Sequence, residues 1–252
     1  MSVSARRVWV FLAALGFASL TTSLGFWQLR RAEYKTELAQ LMQRRQLDRP
    51  LHNADWPCTQ KPDAFPDQRP VVLTGHWLSD RLVYLDNRSM DGQAGFDVVT
   101  PLQLDPTPVC GPALVLVQRG WVPRDALDRQ RLLSVQTPAG LVEVNGRLVL
   151  DVSQAYALGR EPDVWPGDRG PLLRQNMSRQ AWNTWLGATV APGAVLQVDD
   201  PHQRNTDLKR NWPAPDTGVG KHQAYALQWF AMAFIIAGLY VWFQLLRPHR
   251  ID

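Results

Sequence analysis

The stretch "KHQAYALQWFAMAFIIAGLYVWFQLL", residues 221–246, carries no charge after Lys221. An uncharged run of about 24 residues, rising about 1.5 Å per residue, reaches roughly 36 Å, enough to cross a hydrocarbon core of about 30 Å with some tilt. Tyr225, Trp229, Tyr240 and Trp242 bracket the run as an interfacial aromatic belt does. A soluble core helix this long and apolar on every side is uncommon in a small domain, so residues 223–246 are read as a membrane span with His222 at its mouth.

A second run lies near the other end. "VWVFLAALGFASLTTSLGFW", residues 8–27, follows Arg6 and Arg7 and precedes Arg30 and Arg31. It is longer than the apolar core of a secretory signal and has no convincing small-x-small cleavage site, so it is read as an uncleaved anchor. The remaining boundaries follow: tails at 1–7 and 247–252, and a central domain at 28–222. Arg6 and Arg7 at one end and Arg247, His249 and Arg250 at the other assign both tails to the cytoplasm. The long middle segment is expected to translocate regardless of its charge. "MSVSARR" is too short for an amphipathic Arg- and Ser-rich mitochondrial leader, which favours a bacterial inner membrane with a periplasmic centre.

The formal net charge is +4, with the arginines scattered and no basic stripe interleaved with aromatics, so no nucleic-acid partner is indicated. Arginines next to lipid headgroups account for the surplus. Cys58 and Cys110 are too far apart for a CxxC motif; both stand beside prolines, and an oxidising periplasm would allow one disulfide between them or leave two buried thiols.

Between the spans the periodicity changes. "RRAEYKTELAQLMQRRQ" continues the first helix beyond the bilayer until Pro50 stops it, and the Pro-, Asp- and Asn-rich stretch to Pro70 reads as a connector. Five short runs follow, "PVVLTGHWL", "RLVYLDNRS", "GFDVVTPLQL", "ALVLVQRGWVP" and "LVEVNGRLVL", separated by turn residues. They predict an antiparallel barrel or sandwich. "SRQAWNTWLG" predicts a short helix with Ser178 as N-cap and Gly187 as its stop, and "AVLQVDD" a late strand. The fold class is therefore a two-helix membrane hairpin flanking a β-rich α+β domain.

No HExxH helix, GxSxG elbow, phosphate-binding glycine loop or CxxC pair occurs. Asp199, Asp200 and His202 form an acidic-histidine cluster that a solvated turn explains without a metal, and Asp125 and Asp128 among Arg124, Arg129 and Arg131 read as a charged surface turn. No catalytic constellation emerges, so a non-enzymatic role is expected.

"LGFWQLRRAEYKTEL" from Leu24, "GFDVVTPLQL" from Gly95, "VLVQRGWVP" from Val115 and "KHQAYALQWFAMA" from Lys221 resemble, in order and spacing, the signature blocks of the Surfeit-locus cytochrome oxidase assembly family. Residues from about Asp151 to Thr217 fit the pattern less well. The resemblance implies an inner-membrane assembly factor for haem-copper cytochrome c oxidase, binding haem a and assisting its insertion into the catalytic subunit. It implies that subunit and haem a synthase as partners, alongside membrane lipid. The family histidine falls on His222, and imidazole is a common axial ligand of haem iron.

His222, Tyr225 and Trp229 stand at i, i+3 and i+7 on one helical face, a spacing that serves a bound ligand or a partner helix equally. A histidine at a helix entry can also simply anchor the interface. Arg119, in "VQRGWVP", has two readings as well: a bidentate contact to a haem propionate, or part of a strand end with Trp121 filling the core. Trp27, Gln28 and Arg30 anchor the first helix, with Gln28 placed to face His222 across a hairpin. The competing function is a membrane-tethered scaffold that binds oxidase subunits and holds no cofactor.

Overall fold

A computed structural model of the chain describes residues 3–57, 61, 65–109, 113–128, 131–157, 159, 168, 170–199, 207–212 and 218–246. Cys58 and Cys110, the expected disulfide pair, lie outside the described residues, as do Asp200 and His202. The chain divides into two bodies, residues 1–41 with 214–252, and residues 42–213.

The first body is built from helix α1 (Val3–Arg45), which runs on into the second body, and helix α3 (Val219–Val241). A π-helical turn, Trp242–Leu246, continues α3. Both helices are long and apolar enough to cross a membrane, and only 11% and 6% of their apolar windows are buried, which removes the soluble core-helix reading. Phe11 meets Tyr240 and Phe26 meets Phe230, so the helices run antiparallel. Gly25 makes the approach possible: a Cβ there would stand 2.6 Å from the Phe230 ring. Thr21, a buried hydroxyl in the apolar span, donates to the Phe17 carbonyl one turn back and so brings no unpaired polar group into the helix.

The second body holds strands β1 (Pro70–Trp77), β2 (Val83–Met90), β3 (Gln93–Leu104), β4 (Leu114–Pro123), β5 (Leu141–Val149), β6 (Leu172–Arg174) and β7 (Val190–Gln197), with helix α2 (Arg179–Leu186) before β7. The ladder runs β1-β5-β7-β4-β3 and closes by pairing β3 with β1, while β2 and β6 extend it beyond β3. This is the barrel alternative, not the sandwich. A ring of five strands cannot alternate direction all the way round, and one parallel neighbour pair is unavoidable. That pair is β4–β7, and the short β6, which carries no strand signal of its own in the sequence, adds a second parallel pairing to β2.

Alternation places Val71 and Leu73 of β1, Leu102 and Leu104 of β3, Val115 and Val117 of β4, Val144 and Leu148 of β5 and Val195 of β7 inside the ring. The 50–70 connector is more than a linker: its Leu51, Trp56 and Phe65 are buried in the same cluster, with Trp56 Nε1 donating to the Pro192 carbonyl at 3.0 Å. Apolar side chains in a proline-rich stretch carry no periodicity, which is why they read as connector. On the outside, Trp182 and Trp185 of α2 cover Val99, Leu116 and Ala194, so β4 is buried on both faces. Helix α2 begins and ends as expected, with Ser178 Oγ accepting from the Ala181 N–H at 3.2 Å and Gly187 at φ 64°.

Candidate functional site

In the helical hairpin, His222 sits in the first turns of α3 and Gln28 about two-thirds of the way along α1. His222 Nδ1 and Gln28 Oε1 are 2.7 Å apart, both residues half-buried. With the amide oxygen turned to the ring, the tautomer that makes this contact is the one with its proton on Nδ1. Tyr225 is 54% exposed and Trp229 half-buried on the same helical face. The expected facing of Gln28 and His222 is thus present. Leu29, Ala32, Glu33, Thr36 and Glu37 of α1, together with Gln223 of α3, line a shallow cavity of about 320 Å³.

In the barrel, the "VLVQRGWVP" run of residues 115–123 is a strand with a bulge. Val99 pairs with Gln118 and Val98 with Gly120, leaving Arg119 as the extra residue. The inward alternation of Val115 and Val117 continues to the Arg119 side chain, which lies on the barrel's inner face and is 2% exposed. Its Nη1 donates to Thr137 Oγ1 at 2.7 Å and its Nη2 to the Gln136 carbonyl at 2.9 Å, while the guanidinium carbon lies 4.8 Å from the Trp77 ring centre. Among the described residues no carboxylate pairs with it. Burial, and then the neighbouring Arg210 charge, lower its pKa to about 10, so it remains a cation at neutral pH. Both terminal nitrogens are engaged by the 131–139 connection, so the fork that a propionate would need faces inward. Arg119 clasps that connection across the sheet, helped by the Tyr84 hydroxyl, which donates to the Leu133 carbonyl.

Gly120 and Trp121 perform the core role. Trp121 is fully buried, and its backbone exchanges N–H···O bonds of 2.7 and 2.9 Å with Lys209. A Cβ on Gly120 would stand 2.6 Å from Leu208 Cβ, so glycine admits the 207–212 segment to the strand edge. Arg210 Nε adds a 2.6 Å bond to the Arg119 carbonyl.

A buried polar cluster on β2, β3 and β4 went unrecognised in the sequence. Asp97, 4% exposed, accepts from Ser153 Oγ at 2.7 Å and Gln118 Nε2 at 2.8 Å, with Arg88 Nε at 3.4 Å. Arg88 Nη2 donates to the Ser153 and Gln175 carbonyls at 2.8 and 3.1 Å, pinning two loops to the sheet. Burial raises the Asp97 pKa to about 6 against the opposing pull of Ser153 and Arg88. The signal was present in "GFDVVTPL": a carboxylate inside a strand buried on both faces needs partners. Asp125 instead caps an exposed turn by accepting from the Leu127 and Asp128 N–H groups, as its charged surroundings suggested.

The two blocks now have structural meaning, one at the paired helices and one at the barrel strand that receives the 207–212 segment. The SURF1 family pattern matches residues 15–234, which takes in both. The chain belongs to the SURF1 family. A Saccharomyces cerevisiae relative named cytochrome oxidase assembly protein SHY1 is 31% identical over 119 residues, covering 46% of this chain and 29% of the yeast protein. Surfeit locus protein 1 of Mus musculus is 24% identical over 242 residues, 88% of this chain and 70% of the mouse protein. The Arabidopsis thaliana protein of the same name is 35% identical over 119 residues, 45% of this chain and 33% of its own. The aligned stretch is thus about a third or less of the yeast and plant proteins, and most of the mouse one. In this SURF1-family chain the four expected site residues fall into different bodies: His222, Tyr225 and Trp229 in the hairpin, Arg119 in the barrel.

Proposed function

We propose that this chain is a membrane-anchored assembly factor for haem-copper cytochrome c oxidase, which holds haem a through His222 and assists its insertion into the catalytic subunit. The yeast relative's name and the family membership support the assembly role. The observation that carries haem handling is the His222 imidazole, held through one ring nitrogen by Gln28 with an exposed aromatic ring, Tyr225, on the same face. One imidazole nitrogen beside apolar rings would suit the iron and the lipophilic ring of a haem. Bound haem supplies an iron that takes imidazole as ligand and a lipophilic ring suited to a membrane edge. His222 is the iron ligand in this reading, Tyr225 and Trp229 offer apolar contact to the ring, and Arg119 shapes the barrel domain from within.

The setting proposed is a bacterial inner membrane, with residues 8–27 and 223–246 spanning it, residues 28–222 periplasmic and both tails cytoplasmic. The oxidase catalytic subunit is the receiving partner and haem a synthase the donor. The chain does no chemistry of its own.

The test is spectroscopic. Protein purified from cells that make haem a carries a near-stoichiometric haem band, and His222→Ala removes most of it at matched expression, while Tyr225→Phe retains it. A colourless wild-type protein from haem-replete cells leaves a scaffold role in its place.

A further inference from the structure

The hydrogen bond between the helices has a chemical consequence beyond packing. A neutral imidazole carries one N–H, and the hydrogen bond made by one nitrogen decides which nitrogen keeps a lone pair. At His222 the 2.7 Å partner is the Gln28 side-chain oxygen, and an oxygen in that place is matched by a proton on Nδ1. Nε2 then keeps its lone pair, and it has no hydrogen-bond partner among the described residues. The two groups are 194 residues apart in the chain, so nothing local holds them together. What does so is the helix pairing, with Gly25 admitting the Phe230 ring one turn before Gln28. Metal-bound histidines are oriented this way by a second partner on the far nitrogen.

We propose that Gln28 is the positioning residue of this site: it fixes His222 as the Nδ1–H tautomer, so that the chain presents Nε2 alone, pre-oriented, to an electron-pair acceptor, which on the reading above is haem iron. The proposal rests on that reading for the identity of the acceptor, though not for the tautomer. It separates Gln28 from an anchoring role, since an anchor needs only contact, whereas positioning needs an acceptor on this one atom.

The deciding experiment uses the full chain in detergent, free of haem and with ¹⁵N-labelled histidine, at about pH 8.5, two units above an ordinary imidazole pKa of about 6.5. The His222 resonances are identified by their loss in His222→Gln. The expected result is a protonated Nδ1 and an unprotonated Nε2. Gln28→Leu, which removes the acceptor and keeps the bulk, shifts His222 to a tautomer mixture; Gln28→Glu, which restores an acceptor, returns it to Nδ1–H. Haem a titrated into the same three proteins binds roughly tenfold more weakly to Gln28→Leu than to the parent, and near-normally to Gln28→Glu. An Nε2–H tautomer in the parent, or a tautomer unmoved by Gln28→Leu, overturns the proposal. A parent that fixes Nδ1–H yet binds no haem a overturns the haem reading and leaves the positioning role standing.

Discussion

Replacing Asp97 with asparagine isolates the largest titration built into the barrel. In the folded protein burial raises the Asp97 carboxyl to about 6, against an ordinary value of 3.8. Between those two pH values the folded state holds a proton that the unfolded state has released. Unfolding free energy therefore falls as pH rises through the window, and the group's contribution is flat on either side. A difference of about two pK units corresponds to about 3 kcal/mol at about 1.4 kcal/mol per unit. Burial wins over Arg88 here because the arginine stands 3.4 Å away and divides its nitrogens among the Ser153, Gln175 and Asp86 carbonyls. The assay is urea unfolding of the full chain in detergent, followed by tryptophan fluorescence, at pH steps from 3.5 to 7.5, with Asp97→Asn beside the parent. Titrations elsewhere in the molecule cancel in the difference between the two curves. Relative to asparagine, the parent loses about 3 kcal/mol on going from pH 3.5 to 7. A flat difference would mean that Arg88 and Ser153 fully offset burial, and a parent that gains stability with rising pH would mean that Arg88 keeps Asp97 ionised; either refutes the reasoning.

Three further outcomes follow from the barrel. Gly75→Val places a Cβ 2.2 Å from the Gln103 carbonyl oxygen at the seam where β1 meets β3, and backbone cannot step aside; the urea midpoint falls by the equivalent of about 3 kcal/mol or more, or the domain fails to fold. Gly120→Ala pushes the 207–212 segment off the strand edge, and hydrogen exchange of the Trp121 and Lys209 amides speeds up markedly while exchange within β1 and β5 is unchanged. Arg119→Lys loses the paired contacts to Thr137 and Gln136 and the stacking on Trp77, costing about 2–3 kcal/mol, and limited proteolysis then cuts first within residues 131–139.

Local pattern alone determined much of this protein. Two uncharged runs made membrane-length helices, alternating β-branched runs made β1 to β5, and Ser178 and Gly187 bounded α2, because hydropathy, periodicity and capping act over a few neighbouring residues. The shared face of His222, Tyr225 and Trp229 was legible for the same reason. Gln28 was placed opposite His222 by hairpin geometry, but the bond to one particular ring nitrogen needed the helix pairing that Gly25 and Phe230 set. Closure of an odd ring, with its obligatory parallel β4–β7 pair, depends on strands far apart in the chain. The same holds for Arg119: alternation after Val115 and Val117 carries it inward, but the 131–139 connection that takes its fork, through Thr137 and Gln136, is brought to it only by the tertiary structure. Asp97 shows the limit most plainly, since a carboxylate in an apolar strand announces that it needs partners, while Arg88, Gln118 and Ser153 become those partners only when two loops and two further strands converge on it.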